Sequence, residues 1–210
     1  MQIGPYRLYG RQGAGSLAPQ ILLEEIGANY ELIWVSQTSA DVEALRRISP
    51  AAKIPVLVLP DGTVVSESAA ILIHLTNAHP AAALAPVPGS STHAQFLQWM
   101  VFLSANAYEA ARRYYFSERY STLRDTAAVA IKEQALADWT HHFELVHASM
   151  SPYVLAGQLS AADFYLHMLA GWYPLGESTL ATRFPKFLRH AELLRRRPAT
   201  GKAEKDHSDK

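Results

Sequence analysis

The chain has 210 residues, enough for one large domain or two small ones with cores of their own. Hydrophobic residues make up 49% and charged residues 18%, a globular composition that excludes wholesale disorder. The 19 basic and 19 acidic side chains cancel, so nothing points to nucleic acid or an anionic membrane, and the absence of cysteine removes disulfides, thiolate metal sites and cysteine nucleophiles together. Residues 1–15 are mixed and broken by glycine, unlike a signal or transit peptide, and no apolar run is long enough to span a bilayer. The expectation is a cytoplasmic protein.

In chain order, residues 6–9 read as a strand and 10–15 as a glycine-rich turn. Ser16 is placed to cap a helix over 17–26, with Pro19 in the first turn, where its missing N–H does no harm, and Gly27 at the stop. A strand over 30–35 and a helix over 40–48 follow. Residues 54–59, the turn Pro60-Asp61-Gly62 and residues 63–65 make a hairpin. The next helix, 68–78, carries Ile71, Leu72 and Leu75 on one face. The order β-α-β-α-β-β-α predicts a small sheet with helices packed on it. Residues 81–91, rich in Ala, Pro and Ser, read as a linker, and beyond them only helical signals persist, over 96–115, 127–150, 160–170 and 187–196, the last stopped by Pro198. The polar stretch 201–210 is expected to fray. No internal repeat is visible.

Three short motifs carry chemical meaning. In Lys53-Ile54-Pro55-Val56-Leu57 a proline opens a strand, either as an ordinary first residue or as a cis turn that faces the Ile54 backbone outward. In Ser66-Glu67-Ser68-Ala69-Ala70-Ile71 a strand gives way to a helix whose first amides suit a carboxylate, whether from a cap or from a ligand. Ser160-Ala161-Ala162-Asp163 is a capping-box variant, assigned to stability.

With these motifs the chain resembles the glutathione S-transferase superfamily over nearly its whole length, and Gly13-Ala14-Gly15-Ser16-Leu17-Ala18-Pro19 looks most like the bacterial beta class. The resemblance implies an α/β plus all-α fold: a thioredoxin-like glutathione-binding domain over 1–80, the linker 81–91, an all-helical bundle over 92–200 forming the substrate domain, and the polar tail 201–210. It implies a cis Ile54-Pro55 bond, with the Ile54 backbone pairing with the cysteinyl part of glutathione and Lys53 beside it. It also implies that Ser68 holds the γ-glutamyl carboxylate and Glu67 the γ-glutamyl ammonium. Ser160 and Asp163 keep a structural role. Glutathione enters as co-substrate, without a metal, and the implied partners are a small hydrophobic electrophile and a second copy of the chain.

The sequence departs from that pattern where the thiolate would be stabilised. The beta-class cysteine position falls on Gly15, and the position of the serine-type hydroxyl falls on Gly13. Ser16, at a helix start, and Tyr9, at the end of the first strand, are the nearby hydroxyls and the catalytic candidates; each also reads as an ordinary cap or core residue. In the second half Tyr108 stands where the beta class keeps a histidine, and Tyr108 with Arg112, one turn apart, are the candidates to line the substrate pocket. His141, His142 and His147 lack ligand spacing, and no metal is expected. The implied activity is conjugation of glutathione to small hydrophobic electrophiles, a detoxifying transferase. The alternatives are a catalytically silent glutathione-binding or ligand-carrying protein, and a glutathione-dependent isomerase, reductase or ether-cleaving enzyme.

Overall fold

Four short strands, β1 (Tyr6–Gly10), β2 (Tyr30–Trp34), β3 (Val56–Val58) and β4 (Val64–Ser66), form a mixed sheet in the order β2-β1-β3-β4. β1 and β2 run parallel, while β3 is antiparallel to both β1 and β4. This is a computed structural model, and it describes residues 4–208. Alternation along the strands divides the sheet into two faces. Tyr9 and Val56, paired across β1 and β3, join Val35, Leu45, Ile48 and Ile54 on the face covered by α2 (Ser39–Ile48). Leu8 and Leu57, also paired and both fully buried, point the other way, toward α1 (Leu17–Glu25) and α3 (Ser68–Ala78). Ile21, Leu22, Ile71, Leu72 and Leu75 are fully buried there, each worth about 1.5–3 kcal/mol of removal from water.

The helix ends explain the element boundaries. α1 stops in a Schellman arrangement: Gly27, at φ 63°, donates to the Glu24 carbonyl, and Ala28 donates to that of Leu23. α2 starts on Thr38, whose hydroxyl accepts from the Asp41 amide. The predicted thioredoxin-like order is therefore observed.

The second unit is all helical among the described residues. It contains α4 (Ser91–Phe102), a π-helical turn over Leu103–Tyr108, α5 (Glu109–Tyr115), α6 (Asp125–Ser149), α7 (Ala161–Gly171), α8 (Gly176–Arg183) and most of α9 (Pro185–Arg195). α7 is its axis, buried from Ala161 to Leu169. The predicted box opens it. The Asp163 carboxylate accepts from the Ser160 amide at 2.8 Å, from the Ser160 hydroxyl at 3.1 Å, from the Val154 amide at 2.8 Å and pairs with His190 at 3.0 Å.

Two sequence expectations are corrected. The first boundary, between Ala85 and Pro86, falls inside the expected linker 81–91, but the helical unit does not run on to residue 200. One unit comprises the chain up to Ala85 together with the stretch from Leu193 onward, and the other is Pro86–Glu192. The expected polar tail 201–210 is instead helical as far as Ser208: Pro198 opens α10 (Pro198–Ser208) rather than only ending α9, and residues 209 and 210 lie outside the described residues. α10 buries Thr200, Ala203 and His207 and packs on α1. Its docking is polar. Arg197 makes two bonds to Glu25, at 2.6 and 2.7 Å, Lys202 pairs with Glu24 at 2.6 Å, and the Gln20 amide donates to Asp206 at 2.7 Å. No helix among the described residues is long and apolar enough to cross a membrane.

Candidate functional site

The sheet register brings three connecting segments to one end. Ile33, Tyr9, Val56 and Ser66 lie side by side across the strands. β1 leaves this row into the turn 11–16, β3 enters it from Lys53-Ile54-Pro55, and β4 leaves it into Glu67-Ser68. The Ile54-Pro55 bond is cis, as the resemblance implied; Ile54 follows the exposed Lys53 and packs against the Tyr9 cluster.

The turn after β1 is a closed set of hydrogen bonds. The Arg11 carbonyl accepts from the Ala14 amide at 3.1 Å and the Ser16 hydroxyl at 3.2 Å, and the Arg11 amide donates back to the Ser16 hydroxyl at 3.1 Å. The Arg11 guanidinium donates to the carbonyls of Val35 and Ser36, at 3.0 and 3.1 Å, tying the turn to the end of β2. Gly10 is required by close approach: a Cβ there would stand 2.5 Å from the Ser16 oxygen.

Ser16 is fully buried, and its hydroxyl does not cap α1. Ser16 has helical backbone angles, so its side chain folds back on Arg11 instead of onto the first-turn amides. The sequence expectation of an ordinary N-cap is corrected accordingly. The first amides of α1 are consequently free of a side-chain cap from Ser16 and face the turn. Tyr9 packs among Val35, Leu45 and Val56, the core reading of that residue.

At the start of α3, Ser68 is buried and Glu67 exposed. The Ser68 hydroxyl reaches the Gly15 carbonyl at 3.4 Å, long for such a bond, so the two turns meet through residues 15 and 68. Glu67 has φ 71° and ψ 117°, a conformation that costs a residue with a side chain on the order of 1–3 kcal/mol. It holds the Glu67 carboxylate at the mouth of a helix whose first turn contains no acidic residue.

The remaining sequence candidates lie in the helical unit. Tyr108, at the end of the π turn, packs edge-on against Trp172 and tilted against Tyr165, with ring centroids 5.4 and 6.3 Å away. Arg112 is half-buried one turn further on. Such π turns recur at functional sites because they displace side chains from the regular helical rows. His142 is partly buried, which pushes its pKa down, and His147 accepts from the Lys186 amide at 3.4 Å; no group of potential metal ligands occurs among the described residues.

Two residues at the sheet end had no sequence signal. One is Arg11, which organises the turn with its own backbone and guanidinium. The other is His207 of α10, whose Nδ1 accepts from the Gly13 amide at 3.2 Å. His207 lies some 190 positions along the chain from that turn, so no local pattern joins them (the separation is 194 residues).

The family model of the glutathione S-transferase N-terminal domain matches residues 16–78, which run from the start of α1 through α3. The chain is 25% identical to an uncharacterised glutathione S-transferase-like protein of Escherichia coli K12, over 80% of this chain and 82% of that one. Glutathione S-transferase GstA of Escherichia coli O157:H7 is 26% identical, but the match spans only about half of either protein, 49% and 53%. A sphingomonad glutathione S-transferase complexed with glutathione is 29% identical, with a TM-score of 0.79 over 96% of this chain and 98% of that one. A glutathione transferase homologue from Sulfitobacter with bound glutathione shares the fold, at a TM-score of 0.86 and 24% identity over 96% and 98% of the two chains. Sheet order, helical unit and matched segment together give the chain the fold of the glutathione S-transferases, with a thioredoxin-like first unit whose residues 16–78 match the family's N-terminal domain.

Proposed function

We propose that this protein binds glutathione at the sheet end formed by the turn 11–16, Ile54-Pro55 and Glu67-Ser68, and conjugates it to small hydrophobic electrophiles. The observation that carries the reading is the meeting of Ser68 and Gly15 at the end of the sheet where residues 53–55 enter β3. One helix start for a carboxylate, one exposed acid for an ammonium and one outward strand backbone then stand within reach of a single tripeptide. The sphingomonad relative, complexed with glutathione, supports the ligand.

In this reading Ile54 pairs through its backbone with the cysteinyl residue, with Lys53 alongside. Ser68 holds the γ-glutamyl carboxylate and Glu67 the ammonium. The sulfur then lies toward the start of α1, where Ser16 is the catalytic candidate through its backbone N–H, since its hydroxyl is spent on Arg11. The thiol proton goes to solvent, and the sulfur lone pair forms a C–S bond as the electrophile releases its leaving group with the bonding pair. Tyr108 and Arg112 are the helical unit's candidates for substrate contact. A homodimer in the cytoplasm completes the reading. The test is glutathione consumption against a panel of electrophiles, run beside calorimetric titration with glutathione. Micromolar-to-millimolar binding with turnover of at least one electrophile is expected, and absence of binding rejects the site.

A second reading, a silent glutathione binder, draws on three observations around the turn. Gly13 and Gly15 have no side-chain donor, Tyr9 packs in the core, and the Ser16 hydroxyl already has both partners inside the turn. Binding without turnover of any electrophile would select it.

A further inference from the structure

The structure assigns His207 a role in the site: we propose that it is a positioning residue for glutathione, holding the turn 11–16 in place from the last turn of α10. The proposal rests on the glutathione reading above, because it is through that turn that His207 would act on the ligand.

The Gly13 amide can only donate, so the Nδ1 atom it meets at 3.2 Å is unprotonated and the imidazole proton sits on Nε2. The ring is 8% exposed, stands edge-on to Trp34 with centroids 5.1 Å apart, and its Nε2 has no partner among the described residues. A buried N–H without a partner is costly. A phenyl ring of similar shape would pack on Trp34 without that cost, so apolar packing does not account for an imidazole here. What only the imidazole supplies is the Nδ1 acceptor, and its one partner is the turn.

Gly13 stands at φ 64°, a conformation that leaves its amide pointing out of the turn instead of into the Arg11 hydrogen-bond set. Without an external acceptor this amide would turn to water, and the middle of the turn would lose its bond to α10. Gly15 and Ser16, which meet the Ser68 hydroxyl and open α1, follow directly. The C-terminal helix thereby sets where the first amides of α1 point. The Gln20–Asp206 bond one residue away holds α10 in the register that makes this possible.

The experiment uses the full chain with His207→Phe, His207→Asn and, as a control on α10 docking, Lys202→Ala. Phe fills the site without an acceptor, whereas the Asn carbonyl oxygen replaces Nδ1 in position. Three readouts are taken: hydrogen exchange of the Gly13 amide without ligand, glutathione affinity by calorimetry, and the pKa of the bound thiol from thiolate absorbance. In His207→Phe, exchange at Gly13 and the glutathione Kd should each rise about three- to tenfold, as expected for one lost neutral hydrogen bond, with the bound thiol pKa raised and the melting temperature unchanged or higher. His207→Asn and Lys202→Ala should stay close to wild type in exchange and affinity. Wild-type exchange and affinity in His207→Phe overturn the proposal. So does an equal loss in Lys202→Ala, which would make helix docking, and not the Nδ1 acceptor, the cause. If the wild-type protein binds no glutathione, the proposal falls with the reading it rests on, and Gly13 exchange then reports a structural contact alone.

Discussion

Ser68 and Glu67 adjoin in sequence but differ in burial, and this separates the effects expected of their substitution. Ser68→Ala removes a buried hydroxyl that contacts the Gly15 carbonyl, and Glu67→Ala removes an exposed carboxylate whose loss leaves the fold's hydrogen bonds intact. Each should weaken glutathione binding by about 1.5–3 kcal/mol, the worth of one charge-assisted bond, or roughly ten- to 150-fold in Kd. Only Ser68→Ala should also change the melting temperature. Calorimetry giving wild-type affinity for both variants would reject the clamp. If Ser16 serves the thiolate as proposed, Ser16→Ala should raise the pKa of the bound thiol, because the back-bond to Arg11 that places the Ser16 amide is lost; Tyr9→Phe should leave it alone, since that ring packs on Val35 and Leu45. The reverse pattern in thiolate absorbance would transfer the role to Tyr9. That Ile54, Pro55, Glu67 and Ser68 gather at one end of the sheet was legible in the sequence, because each belongs to a strand start or a helix start with a local signal of its own. Arg11 and His207 were not, because an arginine in a turn and a histidine in a polar stretch have no pattern until the fold brings β2 and α10 to them.

Among the helices, α7 and α10 are held by opposite means, and their predicted weaknesses differ. α7 is sealed by apolar burial and by one carboxylate with four partners. Asp163→Ala would strand the Ser160 and Val154 amides and His190, a loss of about 3–5 kcal/mol, read as a lowered midpoint in urea. α10 is held by ion pairs and small side chains, and here pH intervenes. Burial is the main cause that lowers the His207 pKa from the ordinary 6.5 to about 4, with the nearby Asp206 charge opposing it. The unfolded chain therefore binds a proton before the folded one does. This contribution to stability is full above pH 6.5 and is lost as pH falls toward 4. Urea midpoints should decline over that window more steeply for the wild type than for His207→Phe; parallel declines would show that other groups dominate. The same contrast explains which helices could be read from the sequence. α7 announces itself through Phe164, Leu166 and Leu169, whereas the buried positions of α10 are Thr200, Ala203 and His207, which form no apolar stripe. Its partners on α1 are Gln20, Glu24 and Glu25, which read as a solvated edge until α10 is in place.

For the whole molecule, the order of layers was legible and the path of the chain was not. Alternating strand and helix signals up to residue 78, then helices only, suffice for the two units; the return of the last helix to the first unit depends on pairs such as Gln20–Asp206, which only the three-dimensional structure displays. At this scale the family resemblance implies a two-fold homodimer, with α3 of one protomer meeting the long helices of its partner's second half. Light scattering at micromolar concentration should return twice the chain mass, and a monomer there would count against it. The return of α10 also has a consequence for biosynthesis. Residues 4–85 leave the ribosome with the outer edge of α1 bare, and the entire helical unit must be made before residues 198–208 arrive to cover it. Contacts of such sequence separation form late. The nascent first unit therefore stays an incomplete half while the helical unit is made, its Gly13 turn unlatched, and is completed only once the final turn of α10 has cleared the exit tunnel.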